Sequence, residues 1–325
     1  MMPYPTILDT IGNTPLVRLQ HINPNPLATI LVKLEFLNPS ASIKDRMVLH
    51  MVEDAEKKGL LKPGGTIVEG TSGNTGAALA MIAAIKGYRA ILVVSEKVSQ
   101  EKQNTLKAFG AKIVVTPSGV SSDSPDYYVN VAKRLAQEIP GSFQINQYDN
   151  PINPEAHYLT TGPEIWKQTN GHIDYFIASG STGGTISGVG KYLKEKNPKV
   201  KIILPDPVGS VFYDFFKTGK VPKDAIGSKY IEGIGQNHIT KAIDFSVIDD
   251  VMQVKEKDAF ATGKLLAQKE GILAGGSSGA NVWAALEIAK RIKTPTTLVT
   301  VLPDSGLKYL SKMYDEEWLK KHHLT

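Results

Sequence analysis

The chain has 325 residues, of which 42% are hydrophobic and 21% charged, and this globular balance excludes a disordered or collagen-like protein. The length suits one large α/β domain or two lobes. The net charge of +5 is modest and the basic residues are scattered, so the composition predicts no nucleic-acid partner and no membrane partner. A small anionic ligand remains open.

The chain contains no cysteine, which excludes disulfides, Cys-ligated zinc, iron–sulfur clusters and a cysteine nucleophile. The seven histidines form neither an HExxH motif nor an i, i+4 pair, so we expect no metal site. The N-terminus has no basic residue before Arg18 and no long apolar run. We therefore expect no secretory signal and a cytoplasmic protein.

Short β-type runs alternate with helical patterns along the chain. Strands are predicted at 29–35, 66–69, 90–94, 112–115, 174–179, 200–204 and 296–302. The amphipathic stretch 44–59 predicts a helix that ends at Gly59. Segment 120–127 predicts a loop that caps the next helix at Ser124 or Asp126. The alternation predicts parallel sheets covered by helices.

Two segments stand out between these elements. Residues 147–154 are rich in Pro and Asn and are the best candidate for a crossing between two lobes. Residues 205–240 lack clear periodicity and predict a long irregular segment, which in α/β enzymes is commonly functional.

Several predicted strands end in loops of small residues that open helices. These loops span 68–76, 178–188, 273–280 and 302–306. Loops at the carboxyl ends of parallel strands converge on one crevice, and helix N-termini there favour anions. Four such loops in one chain suggest a ligand that bears a phosphate and a carboxylate.

The loop formed by Ser181, Thr182, Gly183, Gly184 and Thr185 is the best phosphate cradle. Its three hydroxyls add donors to the backbone N–H groups. The loop matches neither the Walker A pattern nor G-x-G-x-x-G, so the sequence does not indicate ATP or a dinucleotide as the ligand. The alternative is an ordinary tight turn between a strand and a helix.

Lys44 opens the predicted helix 44–59, and most helical lysines are simply solvated. Close to a phosphate site, the positive end of that helix would favour the neutral, nucleophilic amine. Schiff-base chemistry requires this form of the amine. No G-x-S-x-G elbow occurs, so a serine hydrolase is not supported.

Five motifs together carry a family resemblance. They are IGNTPLVRL (11–19), SIKDR (42–46), EGTSGNTGAALA (69–80), GSTGGT (180–185) and GGSSGA (275–280). In this order and spacing they resemble the cysteine synthase and cystathionine β-synthase family, which are pyridoxal-phosphate (PLP) enzymes of the tryptophan-synthase-β fold. The resemblance runs from about residue 5 to 318.

The resemblance implies an α/β protein of PLP fold type II. Two lobes, each a mostly parallel twisted sheet covered by helices, would hold pyridoxal 5'-phosphate in the cleft between them. The smaller, mobile, substrate-gripping lobe would span 45–148. The larger, cofactor-binding lobe would comprise 1–44 and 149–325.

Cofactor roles follow from the resemblance position by position. Lys44 looks like the Schiff-base lysine that also shuttles the Cα proton. Asn74 matches the residue that hydrogen-bonds the ring hydroxyl oxygen, and residues 181–185 match the phosphate loop. Ser277 matches the residue facing the pyridine nitrogen. A neutral hydroxyl there leaves the cofactor a weaker electron sink, which suits β-elimination.

Substrate roles follow in the same way. Thr71, Ser72 and Thr75 match the loop that grips the amino-acid carboxylate, assisted by Gln147. The second substrate would lie near Tyr148, Glu232 and Gly233. Two of these residues have simpler interpretations: Glu232 as the structural partner of a nearby lysine, and Tyr148 as interface packing.

The implied reaction is a lyase-type β-replacement through an aminoacrylate. Segments 116–142, 147–161 and 231–235 resemble cystathionine β-synthases, which join L-serine, or an O-activated serine, to L-homocysteine to give L-cystathionine. The alternatives are a cysteine synthase, which makes L-cysteine from O-acetylserine and sulfide, and a non-catalytic binding member of the family. The leaving group and the second substrate stay open.

Two positions depart from the family pattern. Ser181 replaces the glycine that usually opens the phosphate loop, and Gln236 stands where cystathionine β-synthases often carry tyrosine. Gln236 puts the preference for homocysteine in doubt.

The resemblance further suggests a homodimer whose partners are small amino-acid and thiol substrates. We expect neither heme nor S-adenosylmethionine regulation. Instead of contacting a ligand, Asp304 and Ser305 could cap a helix. The aromatic residues among 212–216 could likewise pack in the core instead of lining a substrate site.

Overall fold

A computed structural model describes residues 3–71, 73–121, 124–222, 228 and 230–325. The chain divides into two compact units. Unit 1 comprises Met1–Ile11 and Asn38–Asn153, and unit 2 comprises Gly12–Leu37 and Pro154–Thr325. The passage from unit 1 to unit 2 after Asn153 falls inside the predicted crossing 147–154. The predicted smaller lobe lies within unit 1, and its mobility stays a prediction.

The strands and helices of the described residues alternate along most of the chain. The strands are β1 Leu16–Arg18, β2 Ala28–Leu34, β3 Thr66–Gly70, β4 Arg89–Ser95, β5 Lys112–Thr116, β6 Ser142–Phe143, β7 Tyr175–Ile177, β8 Lys201–Pro207, β9 Asp250–Val254 and β10 Thr296–Leu302. The helices are α1 Lys44–Lys57, α2 Asn74–Lys86, α3 Gln100–Ala108, α4 Tyr128–Glu138, α5 Ile152–Leu159, α6 Thr161–Gln168, α7 Gly184–Lys196, α8 Phe212–Thr218, α9 Glu256–Leu265, α10 Gly276–Ala289 and α11 Glu316–Lys321.

Unit 1 is built on a four-stranded sheet in the order β5-β4-β3-β6, and every pairing is parallel. All five residues of β3 are buried, as expected for a central parallel strand covered on both faces. Val68, Val93, Val131 and Ala132 form a core between this sheet and α4. The carboxyl end of β3 leads toward α2, which places Thr71 at that edge of the sheet.

Unit 2 is built on a six-stranded sheet in the order β1-β2-β10-β7-β8-β9. Only β1 is antiparallel to its neighbour. Three hydrophobic cores pack within the described residues of this unit: one includes Phe176 and Phe212, the second includes Ile30 and Leu298, and the third includes Phe260. Together the two sheets confirm the predicted fold class, mostly parallel sheets covered by helices.

The seven predicted strands are confirmed, and 296–302 has the observed bounds of β10. The sequence pattern did not reveal β1, β6 and β9. The first two have three and two residues, too few to show a period, and β9 reads DVMQV, a run broken by polar residues. The helix predicted at 44–59 is confirmed as α1, which ends at Lys57, shortly before Gly59.

Three expectations were wrong. Segment 205–240 is not irregular throughout, because β8 continues to Pro207 and α8 follows, with Phe212 in the core. Neither Ser124 nor Asp126 caps α4, whose N-cap is Tyr127 without a side-chain hydrogen bond. The loop 273–280 does not follow a strand: it follows a π-helical turn and makes only an isolated bridge.

Within the described ranges, no helix combines the length and the apolar character that a membrane crossing requires.

Candidate active site

Lys44 is the first residue of α1 in unit 1 and is half-buried. The turn before it is fixed by Asp45, whose carboxylate accepts a hydrogen bond from the Ser40 N–H at 2.7 Å and another from the Ser40 hydroxyl. The Lys44 backbone N–H donates to Ser42 Oγ at 3.3 Å. Lys44 therefore lies at the positive end of the helix, where the sequence analysis placed it.

The loop after β3 carries the predicted carboxylate grip. Thr71 and Thr75 are buried, and the Thr75 hydroxyl donates to Gln147 Oε1 at 2.8 Å. Asn74 is half-buried at the first position of α2. Four predicted residues of unit 1 thus lie around one helix N-terminus, where free N–H groups favour a carboxylate. Ser72 lies outside the described residues.

Glu69 is a buried carboxyl beneath this loop that the sequence analysis did not identify. It accepts a hydrogen bond from the Asn146 N–H at 3.1 Å. Burial raises the pKa of Glu69 to about 8, although hydrogen bonds from the N–H groups of Asn146, Ile145 and Gly70 oppose the shift. Glu69 thereby ties the strand that precedes Thr71 to the segment that precedes Gln147. This role of Glu69 is visible only in the structure, where the two distant segments meet.

In unit 2, the predicted phosphate loop, residues 181–185, connects β7 to α7. Thr182, Gly183 and Gly184 are buried, and Ser181 and Thr185 are half-buried. Gly183 has φ +84° and is the N-cap of α7, where it has no side chain to cap the helix, and the Gly184 N–H donates to Thr182 Oγ1 at 3.3 Å. A Cβ at Gly183 would clash with Ile243. The backbone at Gly183 therefore lies close to Ile243, and the N-terminus of α7 presents backbone N–H donors that suit an anion.

His157 supports this loop from behind. Its buried ring lies 3.2 Å through Nε2 from Thr185 Oγ1 and 3.0 Å through Nδ1 from Thr161 Oγ1. The sequence analysis assigned His157 no role in the site, and the structure shows that it holds a predicted site residue in place. Its separation of 28 residues from Thr185 leaves no local signal.

Ser277 is buried in the first turn of α10. The N-cap of this helix, Gly275, has no side-chain cap, and its N–H donates to the Asp304 carbonyl at 3.0 Å. Ser305 caps the 3₁₀ turn after β10 by accepting a hydrogen bond from the Leu307 N–H, and Asp304 accepts one from the Tyr309 hydroxyl at 2.6 Å. The capping alternative is confirmed for Ser305.

Glu232 forms an ion pair with Lys312 at 2.8 Å, with about a third of each side chain exposed. The alternative of a lysine partner for Glu232 is therefore confirmed, and its contact with a second substrate stays a prediction. Gly233 is exposed and has φ +84°. Tyr148 is half-buried in unit 1. Burial is the main cause of the raised pKa of Tyr128, and the nearby Tyr148 contributes to the same shift.

The aromatic residues of α8 belong to the core of unit 2. Phe212 is fully buried, and the rings of Phe212, Phe215 and Phe216 lie 5.0 to 6.4 Å from the Phe245 ring. These distances are typical of packed aromatic pairs. The packing alternative is confirmed for this cluster.

The residues present fit pyridoxal phosphate. In the described ranges, Ser179 and Ser278 have buried hydroxyls without a hydrogen-bond partner, one beside the phosphate loop and one beside Ser277. The backbone cradle at Gly183 suits a phosphate group, and Lys44 supplies an amine at a helix N-terminus. No cluster of three metal-binding side chains occurs among the described residues.

Comparisons with known proteins agree with this chemistry. A family model described as "Pyridoxal-phosphate dependent enzyme" matches residues 7–304. The chain is 47% identical to the cystathionine beta-synthase of Apis mellifera over 318 residues, which cover 97% of this chain and 62% of that protein. It is 40% identical to cysteine synthase 1 of Emericella nidulans over 321 residues, which cover 98% and 86%.

A solved structure agrees as well. The crystal structure of an O-ureido-L-serine synthase matches with a TM-score of 0.89 and 40% identity, covering 98% of this chain and 100% of that one. The chain spans less than two thirds of the length of the cystathionine beta-synthases it matches. The family model and the near-complete coverage of the cysteine synthase show that this chain belongs to the pyridoxal-phosphate-dependent enzymes of the cysteine synthase and cystathionine β-synthase family.

Proposed function

We propose that the chain catalyses β-replacement on L-serine, or on an O-activated serine, with L-homocysteine as the acceptor and L-cystathionine as the product. The observation that carries this proposal is the identity of 42–47% to cystathionine beta-synthases from insect, mammals and yeast over 97–98% of the chain. The chain covers only part of those proteins, so their activity comes here as a proposal.

The donor amino acid is assigned to unit 1. Thr71, Thr75 and the N–H groups that open α2 bind its carboxylate, and Gln147 orients the Thr75 hydroxyl through the 2.8 Å hydrogen bond. When bound, pyridoxal phosphate supplies the electron sink for loss of the Cα proton. Lys44 Nζ takes that proton, and the β-substituent of the donor leaves.

The phosphate loop and Ser277 orient the cofactor. Residues 181–185 hold the phosphate through backbone N–H groups and hydroxyls, with Thr185 fixed by His157. Ser277 would offer the ring nitrogen a neutral hydroxyl, which would limit the negative charge that the ring accepts and favour elimination over a long-lived carbanion.

The acceptor is assigned to the Glu232 region of unit 2. Homocysteine carries an ammonium and a carboxylate that sulfide lacks, and these groups need polar partners. Glu232 and Lys312 offer one carboxylate and one ammonium, both partly exposed. This pair favours a zwitterionic acceptor.

A second candidate is cysteine synthase, in which sulfide adds to a donor derived from O-acetylserine. It is favoured by the relative from Emericella nidulans, 86% of which this chain covers, and by Gln236, the departure from the cystathionine β-synthase pattern. The O-ureido-L-serine synthase that matches in fold is named for a third product, so the product of this chain has to be measured.

Mass spectrometry of the products distinguishes the two. The cofactor-loaded enzyme is given serine or O-acetylserine with equal amounts of homocysteine and sulfide. Cystathionine as the dominant product supports the first candidate, and the faster donor identifies the leaving group. Dominant cysteine with little cystathionine overturns it in favour of the second. A catalytically silent protein would give neither product.

A further inference from the structure

Gln236 is joined to the phosphate loop by its side chain. Its Nε2 donates to Ser181 Oγ at 2.8 Å. These are the two positions at which the sequence departs from the family pattern, and the structure brings them into contact. A serine hydroxyl that accepts a hydrogen bond keeps its own proton available, so Ser181 is left to donate to an anion in the loop.

Two further hydrogen bonds join the same segments. The Gly235 N–H donates to the Gly180 carbonyl at 2.8 Å, and the Thr240 hydroxyl donates to the Thr182 carbonyl at 2.6 Å. Segment 235–240 therefore contacts three consecutive residues, of which Gly180 precedes the loop and Ser181 and Thr182 belong to it. The Gln236–Ser181 bond is made between two side chains, so a substitution can remove it while both backbone carbonyls keep their partners.

Gln236 is itself fixed from the opposite side. Its N–H donates to Ser210 Oγ at 3.0 Å, and its carbonyl accepts from the Val211 N–H at 3.0 Å. Ser210 is buried, and so is the carboxyl of nearby Asp206, whose pKa is raised to about 6 by burial against the opposing effect of Ser210. These contacts fix the backbone of Gln236, so its side-chain amide reaches Ser181 from a fixed position.

We propose that Gln236 is a positioning residue of the phosphate loop, which acts by orienting the Ser181 hydroxyl toward the cofactor phosphate. The proposal depends on the assignment of residues 181–185 to the phosphate. It does not depend on which donor or acceptor the enzyme uses. Gln236 is thereby assigned to cofactor retention instead of acceptor recognition.

The test is a double-mutant cycle on the holoenzyme. Release of pyridoxal phosphate into an excess of a trapping apoprotein is timed for the wild type, Ser181→Ala, Gln236→Ala and the double variant. One neutral hydrogen bond predicts release about 3- to 10-fold faster in each single variant. The double variant should release no faster than the faster single variant, because both substitutions remove the same bond.

Two substitutions serve as controls. Ser181→Thr keeps the hydroxyl and should release the cofactor at the wild-type rate. Asn237→Ala removes an exposed neighbouring side chain, which contacts His238, and should also leave the rate unchanged. Effects of the two alanine substitutions that multiply in the double variant, or wild-type rates in both, would overturn the proposal.

A reference variant separates this proposal from the loop assignment. Thr185→Ala should speed release if the loop holds the phosphate. Unchanged release in this variant and in Ser181→Ala would remove the loop assignment and the proposal with it. Faster release in Thr185→Ala alone would overturn only the role of Gln236. A lower unfolding midpoint of the Gln236→Ala apoprotein with unchanged release would reduce Gln236 to a structural role, which also contradicts the proposal.

Discussion

Individual side chains of the donor site are held by partners far away in the sequence. The Thr75 hydroxyl depends on Gln147, 72 residues later, and both groups are buried. Replacing Thr75 by Val leaves the Gln147 amide oxygen without this donor, and an unsatisfied buried polar group costs about 1–3 kcal/mol. We therefore expect KM for the amino-acid donor to rise about 5- to 100-fold in steady-state kinetics, with cofactor content unchanged.

Thr105→Val is the matched control, because Thr105 is exposed on α3 and its hydroxyl bonds only the carbonyl one turn earlier in its own helix. It should leave KM unchanged. Equal values of KM in Thr75→Val and in the wild type would show that Thr75 does not contribute to the grip on the carboxylate.

Glu69 gives a prediction about pH. Its pKa in the folded protein, about 8, lies above the ordinary 4.5, so the folded state binds more protons than the unfolded state between these values. The free energy of unfolding contributed by this group is fully present below pH 4.5 and is lost as the pH rises toward about 8. Glu69→Gln, which cannot ionise, should lose less stability across this window.

Urea unfolding at several pH values measures this difference. The stability of Glu69→Gln relative to the wild type should increase steadily as the pH rises. A difference that stays constant over the window would show that Glu69 is ionised in the folded protein at all these values.

At the scale of elements, the turn into α7 determines whether the phosphate loop forms. Gly183→Ala adds a Cβ in a left-handed conformation and against Ile243. The conformation alone costs about 1–2 kcal/mol, and the clash adds to it. We expect the unfolding midpoint to fall and cofactor retention to be lost, as measured by thermal unfolding and the absorbance of bound cofactor.

Gly271→Ala isolates the contribution of the conformation. Gly271 has φ +69° in the same unit, but a Cβ there would meet no atom within 4 Å. This variant should lose stability by the conformational cost alone and keep its cofactor. Equal losses in the two variants would mean that the contact with Ile243 is relieved at little cost.

Elements were predictable from sequence where their signals were local. Strand β10 reads as a continuous apolar and β-branched run, and the loops 68–76 and 178–188 have the glycines and hydroxyls that such turns require. Strand β6 has two residues and owes its existence to pairing with β3. Helix α8 escaped prediction because aromatic residues occupy most of its short length, which hides the helical period.

Support between segments could not be predicted in this way. Glu69, His157 and Gln236 act on residues that are 28 to 77 positions distant. No spacing rule links such pairs in one sequence. By contrast, Lys44 and the loop 181–185 could be identified because each carries its chemistry and its helix start within a few consecutive residues.

For the molecule as a whole, the family membership and the cofactor are established, and the proposed roles divide between the two units. Unit 1 contains Lys44 and the residues predicted to bind the donor, and unit 2 contains the predicted phosphate loop, Ser277 and the Glu232–Lys312 pair. The homodimer and the cytoplasmic location stay predictions. The chain represents about 56–64% of the length of the cystathionine beta-synthases it resembles.

The central claim is that Lys44 holds the cofactor covalently and acts as the base. The direct measurement is borohydride reduction of the holoenzyme followed by proteolysis and mass spectrometry. We predict a single pyridoxyl-modified peptide, with the modification on Lys44. Modification of another lysine, or no modification in a protein that retains its cofactor, would contradict the assignment of Lys44.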